Sequence, residues 1–176
     1  MLGKILVHCC CGPCSTSSLA RLIDEGWSPV LLFSNSNIYP KEENDKRFAE
    51  LEKVAEHYKL EVVRQPYDHS AWLEFVKGLE NEPEHGKRCL KCFEFNLGQA
   101  SKVAKTMGIE HFTTTLTVSR FKNSASIFKV GEEFDGFVAE DFKKKDGFAK
   151  SIKMSQELGL YRQQYCGCEF SMRKEN

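Results

Sequence analysis

The sequence predicts an α/β fold, with a mostly parallel sheet and helices on both of its faces. Three observations carry that expectation. Strand-like and helix-like segments alternate from end to end, the order that feeds parallel strands through crossover helices. The first strand segments are continuous apolar runs rather than alternating ones, as burial on both faces requires. The chain has 176 residues, enough for one such domain whose core needs no disulfide or metal staple.

The first strand is expected at 4–8 (KILVH), followed by a cysteine-rich turn from Cys9 to Cys14. Ser15 to Glu25 reads as a helix: serines open it, Leu19, Leu22 and Ile23 share a face, and Gly26 stops it. Pro29 to Ser34 is the second strand. Pro40 to Lys59 is the clearest helix, with Phe48, Leu51, Val54, Ala55 and Tyr58 at helical spacing and charges opposite. Leu60 to Arg64 returns as a strand, and Trp72 to Leu79 is a short helix. Glu80 to Arg88 has no period and delivers Cys89. Cys92 to Met107 is a helix with Leu97, Ala100, Val103, Ala104 and Met107 along one stripe, ended by Gly108. Phe112 to Val118 is β-branched and aromatic, hence a strand. Ser124 to Phe134 reads as a helix, Gly136 to Glu140 as a short strand, and Phe148 to Leu158 as an amphipathic helix stopped by Gly159. The expectation is one domain over 1–176, Rossmann-like (nucleotide α-hydrolase/HUP-like), with an irregular C-terminal segment at 159–176. No repeat, linker or low-complexity stretch interrupts it.

Hydrophobic residues make up 41% and charged residues 28%, which excludes wholesale disorder. No apolar run exceeds the four residues Val30 to Phe33, so no membrane partner is expected. Met1 to Ile5 leads straight into a strand without a secretory pattern, and a cytoplasmic location is expected. Lys plus Arg and Asp plus Glu are both 25. A net charge of zero disfavours a wholly basic nucleic-acid binder and permits a local basic patch.

Cysteine is the unusual component. The eight cysteines fall into three groups: Cys9, Cys10, Cys11 and Cys14; Cys89 and Cys92; Cys166 and Cys168. In a chain that needs no staples, such grouping points to metal or redox chemistry. The first group sits where open α/β folds bind ligands, after the first strand and at a helix N-terminus. Nucleotide-binding proteins place glycines there for phosphate, and this chain places CCCGPC. Thiolates are anions as well, so the same helix dipole lowers their pKa and favours metal binding. Small buried hydrophobes ending a strand are the plainer explanation for one cysteine, and a poor one for four in six residues. Cys89-x-x-Cys92 follows Arg88 at a helix start and has chelating or redox spacing. Cys166-Gly-Cys168 suits a cycling dithiol or two further ligands. The segments could build a closed four-cysteine zinc site or an iron–sulfur cluster, and cysteine count does not separate them. Cys10 and Cys11 can share one site only if the chain turns between them, because adjacent strand residues point to opposite faces.

Other residues carry weaker signals. His8 is a ligand or proton donor, or more simply a satisfied core histidine. Thr113, Thr114 and Thr115 fit β propensity. Lys143, Lys144 and Lys145, with Arg120 and Lys122, form a solvated face or a phosphate-contacting patch. Tyr161, Tyr165 and Phe170 could stack on a base or pack in a core.

With these residues laid out, the chain resembles the cobalamin-independent epoxyqueuosine reductases of the QueH type. The resemblance rests on HCCCGPC at 8–14, RCxxCF at 88–93, FTTTLTVSRFKN at 112–123, DFKKKDG at 141–147 and YRQQYCGC at 161–168. It implies reduction of the epoxide of epoxyqueuosine to the alkene of queuosine, with loss of water, at the wobble base in a tRNA anticodon loop. It further implies a 4Fe–4S cluster on Cys10, Cys11, Cys89 and Cys92, a redox-active pair in Cys166 and Cys168, and an additional iron to which Cys14 is available. An electron donor is required and not identified. His8 and Asp141 are the candidate proton donors. Two departures stand out: Asn96 where the family often has arginine, and Arg120-Phe121 where it often has Pro-His. Two other readings compete. A zinc-stabilised RNA-binding module would leave spare cysteines, and an ATP-dependent tRNA-modifying enzyme of the nucleotide α-hydrolase type would need a glycine- and serine-rich loop where cysteines stand.

Overall fold

The computed structural model describes residues 1–172. The last four residues of the expected C-terminal segment lie outside the described residues. Four parallel strands form the sheet: β1 (Gly3–His8), β2 (Trp27–Phe33), β3 (Val62–Arg64) and β4 (His111–Thr114), in the order β3-β2-β1-β4. The helices between them are α1 (Gly12–Asp24), α2 (Lys41–Tyr58), α3 (His69–Phe75) and α4 (Lys87–Thr106), and α5 (Ser124–Gly131) and α6 (Gly147–Glu157) follow β4. The α/β expectation is met.

Odd and even strand residues feed different cores. Ile5, Val7, Leu31 and Phe33 pack with Leu19, Leu22, Leu51 and Val54 of α1 and α2. Leu6, Val30 and Leu32 pack on the other face with Leu97, Ala100 and Ala104 of α4. This two-sided burial explains why the strands read as unbroken apolar runs. The strand order reverses at β1, which lies between β2 and β4. A crevice opens at such a switch point beyond the carboxyl ends of the strands, and the Cys9–Cys14 turn is built there.

Several boundaries differ from the sequence expectation, each for a local reason. α1 starts at Gly12 rather than Ser15, because Cys11 acts as its N-cap and Pro13 fits the first turn. α3 starts at His69 because Asp68 caps it, accepting from the Ala71 N–H at 3.0 Å. α4 starts at Lys87 rather than Cys92, so Cys89 and Cys92 both stand in its first turns. The expected strand 112–118 stops at Thr114, whose Oγ1 accepts from the Leu116 N–H at 3.2 Å and turns 115–118 into a 3-10 helix. Gly136 to Glu140 makes a single bridge, Phe112 to Phe137, instead of a strand. No helix among the described residues is long and apolar enough to cross a membrane.

Candidate metal centre and substrate cavity

The turn between β1 and α1 resolves the geometric conflict at Cys10 and Cys11. Cys9 continues the sheet, its N–H donating to Leu32 O at 2.9 Å, and its side chain is fully buried in the α1/α2 core. The chain then bends. Sγ atoms of Cys10, Cys11 and Cys14 come to lie within 4.8 Å of one another. Cys9 takes no part: its thiol donates to Val7 O at 3.3 Å.

The three sulfurs are electrostatically unequal. Burial opposes ionisation of Cys11, but donors overcome it and hold its thiol well below the ordinary range. Those donors are the Cys10 and Cys14 thiols, the Cys14 N–H at 3.4 Å and Gln163 Nε2 at 3.0 Å. Cys10, giving its hydrogen to Cys11, is pushed up to about 11. Cys14, giving its hydrogen to Cys10 and Cys11, rises well above the usual thiol range. Clustered thiols at a helix N-terminus are a thiophilic donor set, and a metal cation would displace the two remaining protons.

A cavity of about 350 Å³ opens beside this group. Six cysteines line it: Cys10, Cys14, Cys89, Cys92, Cys166 and Cys168. α4 presents Cys89 and Cys92 to the same cavity. The His85 N–H donates to Cys89 Sγ at 3.2 Å, and burial raises both thiols. Arg88, between them and the loop, is buried and donates to Leu79 O and Glu80 O at 3.2 and 3.0 Å, which shapes the segment that had no period. Cys89 and Cys92 thus line the same cavity as Cys10 and Cys14 without joining the 4.8 Å cluster. All eight cysteines are free thiols; Cys166 is exposed and Cys168 buried. Six sulfurs around one cavity fit an iron–sulfur or other thiolate-bound group in ligand type and number.

The C-terminal segment is a strap held by α2. Arg47, 1% exposed, donates to Cys166 O at 2.7 Å and Tyr165 O at 3.1 Å, and pairs with Glu43 at 2.7 Å. Glu50 accepts from the Tyr161 N–H at 3.0 Å. Gly167 O accepts from the Tyr39 N–H at 2.8 Å. Tyr161 and Tyr165 are used in this strap, with Lys46 and Arg47 over their rings. Lys122 faces Cys166, Cys10 and Cys14; burial alone would lower its pKa, and the sulfur charges instead hold it above the ordinary lysine range. Phe170 packs against Trp72 and under Arg88.

The weaker sequence signals resolve mostly as structure. His8 is fully buried, its Nδ1 paired with Thr114 Oγ1 at 2.9 Å and its Nε2 with Asn35 Oδ1 at 3.0 Å, and burial lowers its pKa. Neither His8 nor Asp141 lines the cavity. Lys143 turns inward to Thr117 O and Lys122 O at 2.9 and 3.0 Å, so it braces loops rather than offering a free charge. The sequence reading passed over Arg47 and Gln163. Arg47 was legible in principle: Asn44, Arg47, Leu51 and Val54 continue one inward stripe of α2, and all four are buried. Gln163 carries no such signal, because it reaches Cys11 from an irregular segment.

A family model described as epoxyqueuosine reductase QueH matches residues 5–174. The chain belongs to the epoxyqueuosine reductase QueH family. Relatives bearing that name include one from Streptococcus pyogenes serotype M1, 34% identical over 98% of this chain and 71% of its own length. One from Thermotoga maritima is 34% identical over 97% of this chain and 91% of its own. One from Histophilus somni is 34% identical over 99% and 74%. Of the residues expected to depart from the family pattern, Asn96 and Phe121 line the cavity, Phe121 being 65% exposed, and Arg120 does not.

Proposed function

We propose that this chain is an oxidoreductase that reduces the epoxide of epoxyqueuosine to queuosine in tRNA, using a 4Fe–4S cluster. The observation that carries the reading is the convergence of six cysteines on one cavity at the switch point of the sheet, in a chain of this family. The proposed cluster ligands are Cys10, Cys11, Cys89 and Cys92, with Cys14 available to an additional iron. When bound, such a group supplies single electrons and Lewis acidity.

The overall reaction breaks two C–O bonds, forms one C=C bond and releases the oxygen as water. It consumes two electrons and two protons. Cys166 and Cys168 are the proposed store of both: a dithiol becoming a disulfide yields two of each. A reducing protein or small thiol must restore the pair. Lys122 supplies a cation on the same wall, where negative charge grows as oxygen departs. Held by Arg47 at its carbonyl, Cys166 is kept beside the cavity it lines.

The test is anaerobic purification, an iron and sulfide count, and incubation of the reduced protein with tRNA carrying epoxyqueuosine. Iron with sulfide and conversion to queuosine in the nucleoside digest is the expected outcome. Iron without conversion keeps the metal and reopens the substrate. Zinc alone without conversion favours a zinc-stabilised RNA-binding module, and tRNA-dependent ATP turnover would favour a nucleotide α-hydrolase.

A further inference from the structure

Among the phenylalanine, tyrosine and tryptophan rings of the described residues, Phe121 is the most exposed: 65%, against 43% for Tyr39 and 40% for Phe75. A single exposed apolar side chain is ordinary on a protein surface. Phe121 differs in its place and in its support. It lines the cysteine cavity while standing mostly in solvent, so it borders the opening. Its backbone is braced. The Phe121 N–H donates to Ser119 Oγ at 3.3 Å, the Lys122 N–H donates to Ser119 O at 3.2 Å, and Lys122 O accepts from Lys143 Nζ at 3.0 Å. Its ring is held as well. The Arg120 guanidinium stands 4.9 Å from the centre of the Phe121 ring and 5.3 Å from that of Phe148, which also lines the cavity. A cation shared by two rings orders all three side chains.

The size of the cavity gives this ring a task. At about 350 Å³ it lies at the small end of ligand sites, with room for one base and none for that base's neighbours in the chain. A base that enters must first leave the stack of its loop, which costs free energy. The adjoining base then remains outside with a bare face. An aromatic ring at the rim replaces the lost stacking partner, and a ring ordered beforehand gives up little entropy in doing so. Arg120 adds a positive charge beside the ring, where the phosphate that joins the two nucleotides must pass.

We propose that Phe121, set by Arg120, is a stacking platform for the RNA base adjacent to the one that enters the cavity. The platform rests on the epoxyqueuosine reading and adds to it a contact outside the reacting base. A phenyl face accepts any base, so it contributes affinity and placement rather than choice of sequence.

The test uses an anticodon stem-loop RNA carrying epoxyqueuosine at the wobble position, and two copies that lack the base on its 5′ or its 3′ side. Binding is measured without reductant, so no turnover intervenes. Phe121→Ala and Phe121→Leu lose about 5- to 100-fold in affinity for the intact RNA, and Phe121→Trp retains it. Phe121→Leu stays apolar, so its loss reads the ring itself. One of the two abasic RNAs shows the same loss with the wild type, and Phe121→Ala binds that RNA no worse than the wild type does. Tm and bound metal stay at wild-type values, because the ring lies mostly in water. Phe121→Ala within twofold of wild type on the intact RNA overturns the platform and leaves the ring to a protein partner. An equal loss on the intact and both abasic RNAs overturns the adjacent base as its occupant. Both of these failures leave the reductase reading standing if the wild type converts the RNA once reduced. A wild type that binds none of the three RNAs and converts none overturns the platform and the reading together.

Discussion

Cys11 has three tasks at once. Its sulfur caps α1 by accepting from the Cys14 N–H, accepts as well from Gln163 Nε2, and belongs to the metal-binding group. The next residue makes this possible. A Cβ on Gly12 would stand 2.7 Å from Glu50 O, so α1 and α2 approach through a gap only glycine fits. Gly12→Ala should cost about 1–3 kcal/mol in denaturant unfolding, because a backbone carbonyl cannot swing aside. It should also lower bound metal per chain. Cys9 gives the contrast. Its thiol belongs to the core, so Cys9→Ala should lower stability by about 1 kcal/mol through a small cavity and leave metal content unchanged. Loss of metal in that variant would contradict the placement of Cys9 outside the site.

At the scale of elements, α2 is the part that holds the strap. Arg47 and Glu43 are buried partners, with side chains 1% and 10% exposed, and the guanidinium also satisfies two strap carbonyls. Removing one partner of such a pair leaves a buried charge and orphaned acceptors. Arg47→Met should therefore cost about 3–5 kcal/mol, or release the strap locally at smaller global cost. Either way the buried Cys168 should react faster with an alkylating reagent, while the rate at the exposed Cys166 changes little. Arg47→Lys restores the charge without the fork and should recover only part of the protection. An alkylation rate equal to wild type in Arg47→Met would show that the strap is held by other contacts.

At the scale of the whole molecule, charge is balanced, with 25 basic and 25 acidic residues. Any attraction to RNA must come from local placement. Arg162, Lys122 and His85 stand around the cavity, and Arg162 is exposed. tRNA binding should weaken steeply with salt, the slope of log Kd against log salt counting the phosphates engaged. Arg162→Ala should reduce that slope by about one and weaken modified and unmodified RNA equally. Affinity constant between low and moderate salt would mean that phosphate contacts do not drive binding.

The sequence by itself determined the parallel α/β architecture, because apolar periodicity is a local property and each strand carried it. It also carried the family, because thiol clusters are rare enough to be read directly as motifs. It left open which sulfurs meet. That depended on the bend after Cys9, set by the Cys11 cap, Pro13 and the close approach of Gly12 to α2, a contact between segments distant in sequence. The same holds for the polar frame. Asn96 and Gln163 look like ordinary solvent-facing residues until α4 and the strap enclose them, and Arg47 shows only as one member of the inward stripe of α2. Burial turns an amide or guanidinium into a positioning group, and burial is a property of the tertiary structure alone.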